Sequence, residues 1–261
     1  MTPNSKIVII GAGRVAGHLG KRLTAKGLNV VQVLNRSAGP AQMLGGALQV
    51  PWSDQWSELR RDADWLLLAV RDDAIGETAA ALAPYCPNAL VTHTSGATPS
   101  TVLSPYFRRF GVFYPLQSFS VERTPVWSGL PVCVEAALPA DLVFLQKMAR
   151  QLGGKAWVVN DEQRAKLHVA AVFANNFTNH CLTIAEALLQ EQGLPFEMLH
   201  PLLTETVAKA LAFSPAQVQT GPAQRGDQAT LHQHLALLAA HPDWQALYAA
   251  LSRSIQNDPH S

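Results

Sequence analysis

The stretch "VIIGAGRVAGHLGKRL" at residues 8–23 decides the fold. Its first aliphatic residues are typical of a short strand that is buried in a parallel sheet. Gly11, Gly13 and Ala16 then fit the spacing G-x-G-x-x-G/A, in which glycines allow a sharp turn and let backbone amides approach a pyrophosphate. A helix with one apolar face follows, and Gly27 ends it. This order predicts a dinucleotide site; the alternative is a tight corner whose glycines serve packing alone.

The residues next to this turn indicate which dinucleotide it holds. Arg14 and Val15 begin the helix, whose free N–H groups and positive dipole end favour phosphates. Asn35, Arg36 and Ser37 follow the second apolar run, at a position where an NAD site usually carries Asp or Glu. Arg36 can instead pair with a 2′-phosphate, and Ser37 can donate a further hydrogen bond. The sequence therefore predicts NADP, unless Arg36 is only a solvated loop residue.

Two further apolar runs, at 65–70 and 89–92, predict additional strands of the same sheet. Ligands of open α/β sheets bind at the carboxyl ends of the strands. Val70 and Ser95 are therefore predicted to contact the cofactor, and His93, expected just beyond its strand, is predicted to contact the substrate. More strands follow up to about residue 158.

The pattern changes to a helical one near residue 160. Residues 1–160 are predicted to form a Rossmann-type domain with a mainly parallel sheet, and residues 161–261 an all-α domain for the substrate cleft and dimerisation. The fold class is thus α/β with an all-helical carboxyl-terminal domain. The first helix of that domain is expected to run to about Gln192.

Composition excludes several classes of protein. A formal net charge of +1 on 261 residues argues against a nucleic acid or an acidic membrane as partner. The three cysteines show no metal-binding or paired spacing, and His232 and His234 point apart on a helix, so no metal site is predicted. Neither a signal peptide nor a membrane span is evident, and we expect a cytoplasmic protein.

A polar stripe runs along the long helix. If His168 is set at zero and each residue turns by about 100°, Asn175 lies at about −20°, Asn179 at about +20° and Asn176 at about +80°. Such a stripe on an otherwise apolar helix needs partners, water or a ligand. It faces the cofactor cleft in one interpretation; in the other it bridges neighbouring helices or lines a dimer contact.

The whole chain resembles the Rossmann-like/DUF2520 family of NADP oxidoreductases. This family lies within the superfamily of 6-phosphogluconate and β-hydroxyacid dehydrogenases, ketopantoate reductase and pyrroline-5-carboxylate reductase. The motifs that carry the resemblance are "GAGRVAGHL", "HTSGA", "YPLQSFS", "HVAAVFANNF" and "TGPAQRGD". The resemblance implies the fold and an NADP cofactor, whereas it names no substrate. It also implies a homodimer that forms through the helical domain.

The chain departs from the β-hydroxyacid dehydrogenases at one position of the long helix. Those enzymes carry a lysine four residues before an asparagine, where this chain has Ala171 before Asn175. His168 is the natural replacement as proton donor, because imidazole titrates near neutrality, and His93 is another candidate. Asn175 would orient the substrate. Asn179 and Arg225 are further candidates for substrate contacts. Arg225 could equally pair with Asp227 or reach across a dimer.

Three functions remain open at this point. The first is an NADP-dependent oxidoreductase that transfers a hydride between NADPH and a small carbonyl or imine. The second is a catalytically inactive NADP-binding regulatory or partner protein, which the missing lysine favours. The third is a structural role through dimerisation, with the nucleotide as a stabiliser.

Overall fold

The computed structural model describes residues 4–120 and 122–257, which include an eight-stranded sheet. The strands lie in the order β3-β2-β1-β4-β5-β6-β7-β8. Neighbouring strands are parallel except for the antiparallel pair β6–β7, which confirms the predicted mainly parallel sheet. The strands are β1 Ile7–Ile10, β2 Val30–Leu34, β3 Trp52–Ser53, β4 Trp65–Leu68, β5 Leu90–His93, β6 Phe110–Pro115, β7 Pro131–Ala136 and β8 Lys155–Val158.

Helices connect the strands and make up the carboxyl-terminal part of the chain. Those between strands are α1 Arg14–Ala25, α2 Ala38–Leu48, α3 Ile75–Leu82 and α4 Pro139–Gln151. Those after the sheet are α5 Asp161–Ala171, α6 Thr178–Gln190, α7 His200–Ala212, α8 Gln228–Leu237 and α9 Pro242–Gln256. Asn160 caps α5 in a capping box with Gln163, and Asp227 caps α8, as their types and positions favour.

The core lies on both faces of the sheet. All four residues of β1 and of β4 are buried, as expected for central strands that are covered on both sides. Ile7 and Ile9 pack with α1 and α4 on one face, and Val8 and Ile10 pack with α3 on the other. This alternation fixes the register of β1 and therefore the position of the glycine turn that follows it.

The long helix expected after Asn160 is present but interrupted. A π-helical turn, Val172–Phe177, joins α5 to α6. A π turn closes its hydrogen bonds over five residues instead of four, so each residue advances the helix by less than in an α-helix. The straight-helix angles predicted for the polar stripe therefore do not hold beyond Ala171.

The chain divides into two compact units, Met1–Asn175 and Asn176–Ser261. This division falls later than the boundary predicted near residue 160, because α5 is tied to the first unit. Its Arg164 is buried and binds Glu135 of β7 and the carbonyl of Thr98.

Among the described residues, no helix is both long enough and apolar enough to cross a membrane.

Candidate active site

The turn after β1 accepts only glycine at its first position. Gly11 has a φ of +108°, and its N–H donates to the carbonyl of Leu34 on β2 at 2.7 Å. A Cβ at this position would collide with the backbone carbonyl of Ala69, just beyond β4. Gly11 thus lets the chain pass between two strand ends and turn into α1.

Gly13 has the opposite property, because the space beside it is open. It caps α1 with a φ of −78°, and a Cβ there would meet no atom within 4 Å. The first turn of α1 contains no acidic residue, and no side chain caps it. The helix end therefore offers its N–H groups and its positive dipole to an anion, and the residues fit the pyrophosphate of a dinucleotide.

A groove of about 240 Å³ lies at this turn. It contains five of the residues predicted to bind the cofactor, namely Gly11, Gly13, Asn35, Arg36 and Val70. Trp56 adds an aromatic surface, and Glu77 of α3 contributes a carboxylate. Because β1, β4, β5 and β6 are parallel neighbours, their carboxyl ends reach this same edge of the sheet.

The end of β2 carries no acidic residue. Asn35 donates from its side chain to the carbonyl of Ser37 at 3.0 Å, which closes the loop before α2. Arg36 and Ser37 are exposed, and Ser37 occupies the N-cap position of α2 without using its side chain as a cap. Among the described residues, Arg36 makes no ion pair. A guanidinium, a hydroxyl and a helix end thus lie together, a donor set that suits a phosphate.

Arg14 and Val15 of α1 have side chains that lie outside this groove. Val15 packs against the hydrophobic core. Arg14 lines a neighbouring cavity of about 370 Å³ with His18, Lys21 and Arg22. The predicted cofactor contact of Arg14 and Val15 is one through the backbone N–H groups at the start of α1, and it stays a prediction.

Ser95 and His93 have structural contacts that the sequence does not reveal. The Ser95 hydroxyl accepts hydrogen bonds from the N–H groups of Ala97 and Thr98 at 3.1 and 2.9 Å, and it is buried. His93 is the last residue of β5 rather than a loop residue, and its ring is completely buried. The predicted substrate contact of His93 stays a prediction, and in this structure the ring has no exposed surface.

The His93 imidazole is held neutral. Its burial, assisted by the nearby positive charge of Arg164, lowers its pKa to about 4. Nδ1 accepts a hydrogen bond from the N–H of Ser95 at 3.2 Å. His93 therefore fixes the backbone of the loop after β5.

The loop after β5, strand β6 and helix α5 are far apart in the chain but meet at one place. The hydroxyl of Tyr114 lies 3.2 Å from Nδ1 of His168, and the two rings pack edge to face. A Cβ on Gly96 would come within 2.9 Å of both rings, so only glycine fits between them and the loop. Burial raises the pKa of Tyr114 to about 12, which keeps its hydroxyl protonated.

Tyr114 is the functional candidate that the sequence pattern missed. It lies in the segment "YPLQSFS" at the end of β6, next to the predicted ligand edge. That position is the only local signal, because its partner His168 is 54 positions away in the chain.

Arg164 anchors the helix that carries His168. Its guanidinium is 1% exposed, and it binds Glu135 of β7, Asp161 and the carbonyl of Thr98. Burial and the adjacent Asp161 raise the pKa of Glu135, whereas Arg164 lowers it. Since Arg164 lies one turn before His168, these contacts fix the first turns of α5 against the sheet.

The predicted asparagine stripe is changed by the π turn. Asn175 lies within that turn and is exposed. Because each residue of the turn advances less than 100°, Asn175 rotates away from the face of His168 and Asn176 rotates toward it. Asn179 and the exposed Arg225 lie in the second unit, and Asp227 caps α8 through the N–H of Thr230.

These features define the class of the protein. The sheet is mainly parallel, and a glycine turn follows its strand β1, with open space at the start of α1. This combination is characteristic of a Rossmann-type dinucleotide-binding protein. Two family models match the chain: residues 6–94 match "NADP oxidoreductase coenzyme F420-dependent", and residues 130–255 match a domain of unknown function, DUF2520.

Solved structures define the family more narrowly. A protein of Bacteroides fragilis, described as a "putative NADP oxidoreductase", is 36% identical, covers 98% of this chain and 99% of its own, and has a TM-score of 0.92. The chain therefore belongs to the same family, that of the Rossmann-type NADP oxidoreductases with a DUF2520 domain.

More distant structures share the fold. A pyrroline-5-carboxylate reductase from Coxiella burnetii is 18% identical over 97% of both chains, with a TM-score of 0.61. An imine reductase from Myxococcus stipitatus, solved with NADP+, is 16% identical over 96% of this chain and 93% of its own, with a TM-score of 0.69. Among curated proteins, no sequence matches the chain.

Proposed function

We propose that the protein is an NADP-dependent oxidoreductase that transfers a hydride between NADPH and a small carbonyl or imine. The observation that carries this proposal is the pair of Tyr114 and His168 beside Gly96. A pair of proton-carrying side chains lies where β5 and β6 end, at the same edge of the sheet as the open glycine turn. Reduction of a carbonyl or imine needs a proton donor close to the cofactor.

The cofactor in this proposal is NADP(H), and each group of residues has a distinct task. Gly11 and Gly13 bring the start of α1 to the pyrophosphate, and Arg36 with Ser37 holds the 2′-phosphate. Val70 and the loop at Ser95 border the nicotinamide end. Bound NADPH supplies the hydride, and the membership of the chain in an NADP oxidoreductase family supports this choice.

His168 is the proposed proton donor. In its protonated form it gives a proton to the heteroatom whose neighbouring carbon accepts the hydride. Asn175 is the proposed orienting residue, and Asn179 and Arg225 are proposed substrate contacts. His93 has a supporting role in this scheme, since it holds the loop after β5.

The test combines a substrate panel with one variant. Purified protein is mixed with NADPH and a set of keto acids and cyclic imines, and the absorbance of NADPH is followed. We expect turnover with members of one class. His168→Gln should lower that turnover by about 10²-fold or more while the melting temperature and the NADPH affinity stay unchanged. Loss of stability in the variant, with no specific loss of turnover, would contradict the catalytic role.

A second function is favoured by one observation. Ala171 stands where the β-hydroxyacid dehydrogenases have their lysine, so the protein lacks that group. An NADP-binding regulatory or partner protein without catalysis fits this absence. Tight NADPH binding with no oxidation across the whole panel would support this alternative and exclude the enzyme.

We further propose that the protein is a cytoplasmic homodimer. The described cysteines Cys86, Cys133 and Cys181 are all free, and Cys181 is exposed, which suits a reducing compartment. Helices after residue 160 would form much of the dimer contact, because α6, α7 and α9 contain no buried residue. Light scattering at micromolar concentration measures the state directly, and a monomer would refute it.

A further inference from the structure

We propose that Tyr114 is the positioning residue for His168: its hydroxyl binds Nδ1 of the imidazole in both protonation states and so reserves Nε2 for proton exchange with the substrate. This proposal rests on the proposed function, in which His168 is the proton donor. It assigns a role to Tyr114, which lies in no part of the glycine groove.

The hydrogen-bonding capacity of a phenol suits this role. A Tyr hydroxyl can accept a hydrogen bond from a ring N–H while it keeps its own proton. In the proposed arrangement, Nδ1–H donates to the Tyr114 oxygen both in the neutral imidazole and in the imidazolium, so the exchanging proton is the one on Nε2. The raised pKa of Tyr114, about 12, keeps the hydroxyl protonated throughout the physiological range. The same contact therefore survives the whole catalytic cycle.

Both members of the pair are fixed by the surrounding structure. Tyr114 lies on β6, between β5 and β7, and is paired with Cys133 of β7. His168 is on α5, whose Arg164 is bound to the sheet one turn earlier. Gly96 closes the third side, because any side chain there would push the rings apart. A contact with such fixed partners can define one orientation of the imidazole.

The remaining contacts of the His168 ring agree with this orientation. Among the residues that the structure describes, Nε2 of His168 makes no hydrogen bond. The charged and titratable groups that act on Tyr114 are Arg164 of α5, Cys133 of β7 and Asp72 after β4, and Arg164 is itself paired with Asp161 and Glu135. Among the described residues, Tyr114 is in hydrogen-bond contact with the His168 ring, and none of the surrounding charged groups is.

The proton and the electrons balance in the reduction. Hydride, with its electron pair, goes to the substrate carbon, and NADPH becomes NADP+. The π electrons of the C=O or C=N bond move to the heteroatom, which takes the Nε2 proton of protonated His168. His168 is left neutral with its Nδ1–H on Tyr114, and a proton from water restores the imidazolium.

The test reads the tautomer of His168 directly in the full-length protein. Nitrogen-15 NMR of the histidine side chains distinguishes protonated from unprotonated Nδ1, and His168→Gln assigns the signal. In the wild type, we expect neutral His168 to be almost entirely the Nδ1–H form, whose Nε2 is free to exchange the proton. Tyr114→Phe removes only the hydroxyl and should give a mixture of both forms. Tyr106→Phe, at a partly exposed tyrosine elsewhere, should leave the signal unchanged.

Kinetics add an independent arm once a substrate is found. Tyr114→Phe should lower kcat by roughly tenfold, the scale of one lost hydrogen bond, and leave the KM for NADPH unchanged. An unchanged tautomer in Tyr114→Phe overturns the proposal, even if turnover falls, because Tyr114 would then act directly. A changed tautomer supports the positioning role, even if no substrate in the panel is reduced; only the proposed function would then fail.

Discussion

The two compact units differ in how they bury apolar surface. In the first unit, helices cover both faces of the sheet, and β1 and β4 are completely buried. In the described part of the second unit, only Ala223, Leu231 and Leu238 are buried hydrophobic residues. Leu211 is 84% exposed and Leu237 73% exposed. The sheet of the first unit buries its own apolar surface, whereas helices with apolar outer faces need a partner, which we propose is a second copy of the chain.

The largest expected effect tests that partner. Val207 and Leu211 share one exposed face of α7. Replacing both by Asp should dissociate the dimer, because four apolar side chains, two from each copy, would lose at least about 1.5 kcal/mol each, or about 6 kcal/mol in all. Sedimentation or light scattering measures the molar mass.

A matched variant on the same helix controls for the added charge. Lys209→Glu lies on another face of α7, where Lys209 pairs with the exposed Glu205. This variant should remain a dimer, with a loss of only a few tenths of a kcal/mol. If the Val207/Leu211 variant also remains a dimer, α7 is not in the contact, and the apolar face of the second unit needs another explanation.

The next effect distinguishes the structural role of Gly11 from the ligand-binding role of Gly13. Gly11→Ala should lower the free energy of unfolding by about 4 kcal/mol, since it combines an unfavourable φ with a clash against a backbone carbonyl. Gly13→Ala should leave stability intact and weaken NADPH binding at least about tenfold, because the new Cβ takes the space for the pyrophosphate. Thermal unfolding and calorimetry measure the two effects; similar behaviour of both variants would contradict the assignment.

A smaller effect concerns acid stability. The pKa of His93 is lowered to about 4 in the folded protein, against about 6.5 when unfolded. Between pH 4 and pH 6.5, His93 is protonated in the unfolded state but not in the folded state. His93 therefore destabilises the fold as the pH falls from 6.5 to 4, by about 3 kcal/mol, and contributes nothing above pH 6.5.

Replacement of His93 should remove this dependence. His93→Asn keeps an acceptor for the Ser95 N–H but cannot be protonated. We expect it to be less stable at neutral pH and to show a loss between pH 6.5 and 4 that is smaller by about 3 kcal/mol. Urea unfolding at several pH values gives the slope, with the exposed His232→Asn as the control. Identical slopes in wild type and His93→Asn would show that burial does not shift this group.

The smallest effect concerns cofactor choice. Arg36→Ala should reduce the preference for NADPH over NADH by about 1–2 kcal/mol, which corresponds to one charge-assisted hydrogen bond. Titration calorimetry with both cofactors measures the difference. Arg61→Ala, at another exposed arginine, should leave the preference unchanged. Equal affinities of the wild type for both cofactors would remove the basis for this prediction.

The sequence predicts the glycine turn and its strands well, because their signals are local. Continuous aliphatic runs produce β1 and β4, and the predicted second strand agrees with β2. His93 shows the limit of this approach. Its strand ends one residue later than predicted, so His93 lies in the sheet with a buried ring rather than in the loop that follows.

The rest of the candidate site depends on information that no local pattern carries. Nothing in "VFANNF" distinguishes a π turn from an α-helix, so the angles of Asn175 and Asn179 could not be predicted. Tyr114 and His168 meet through the packing of α5 on the sheet, which the buried Arg164 fixes. A charged residue in a helical pattern normally predicts an exposed position.

The strand order has a consequence for how the chain folds. β6, β7 and β8 are consecutive both in the chain and in the sheet, so this edge can assemble from one continuous segment with α4 as its cover. β1 must instead wait for β4, which is synthesised only after α1, β2, α2 and β3. The closure of that long loop costs chain entropy before any pairing compensates for it. We therefore expect the glycine turn, which depends on β1 lying between β2 and β4, to form late in folding.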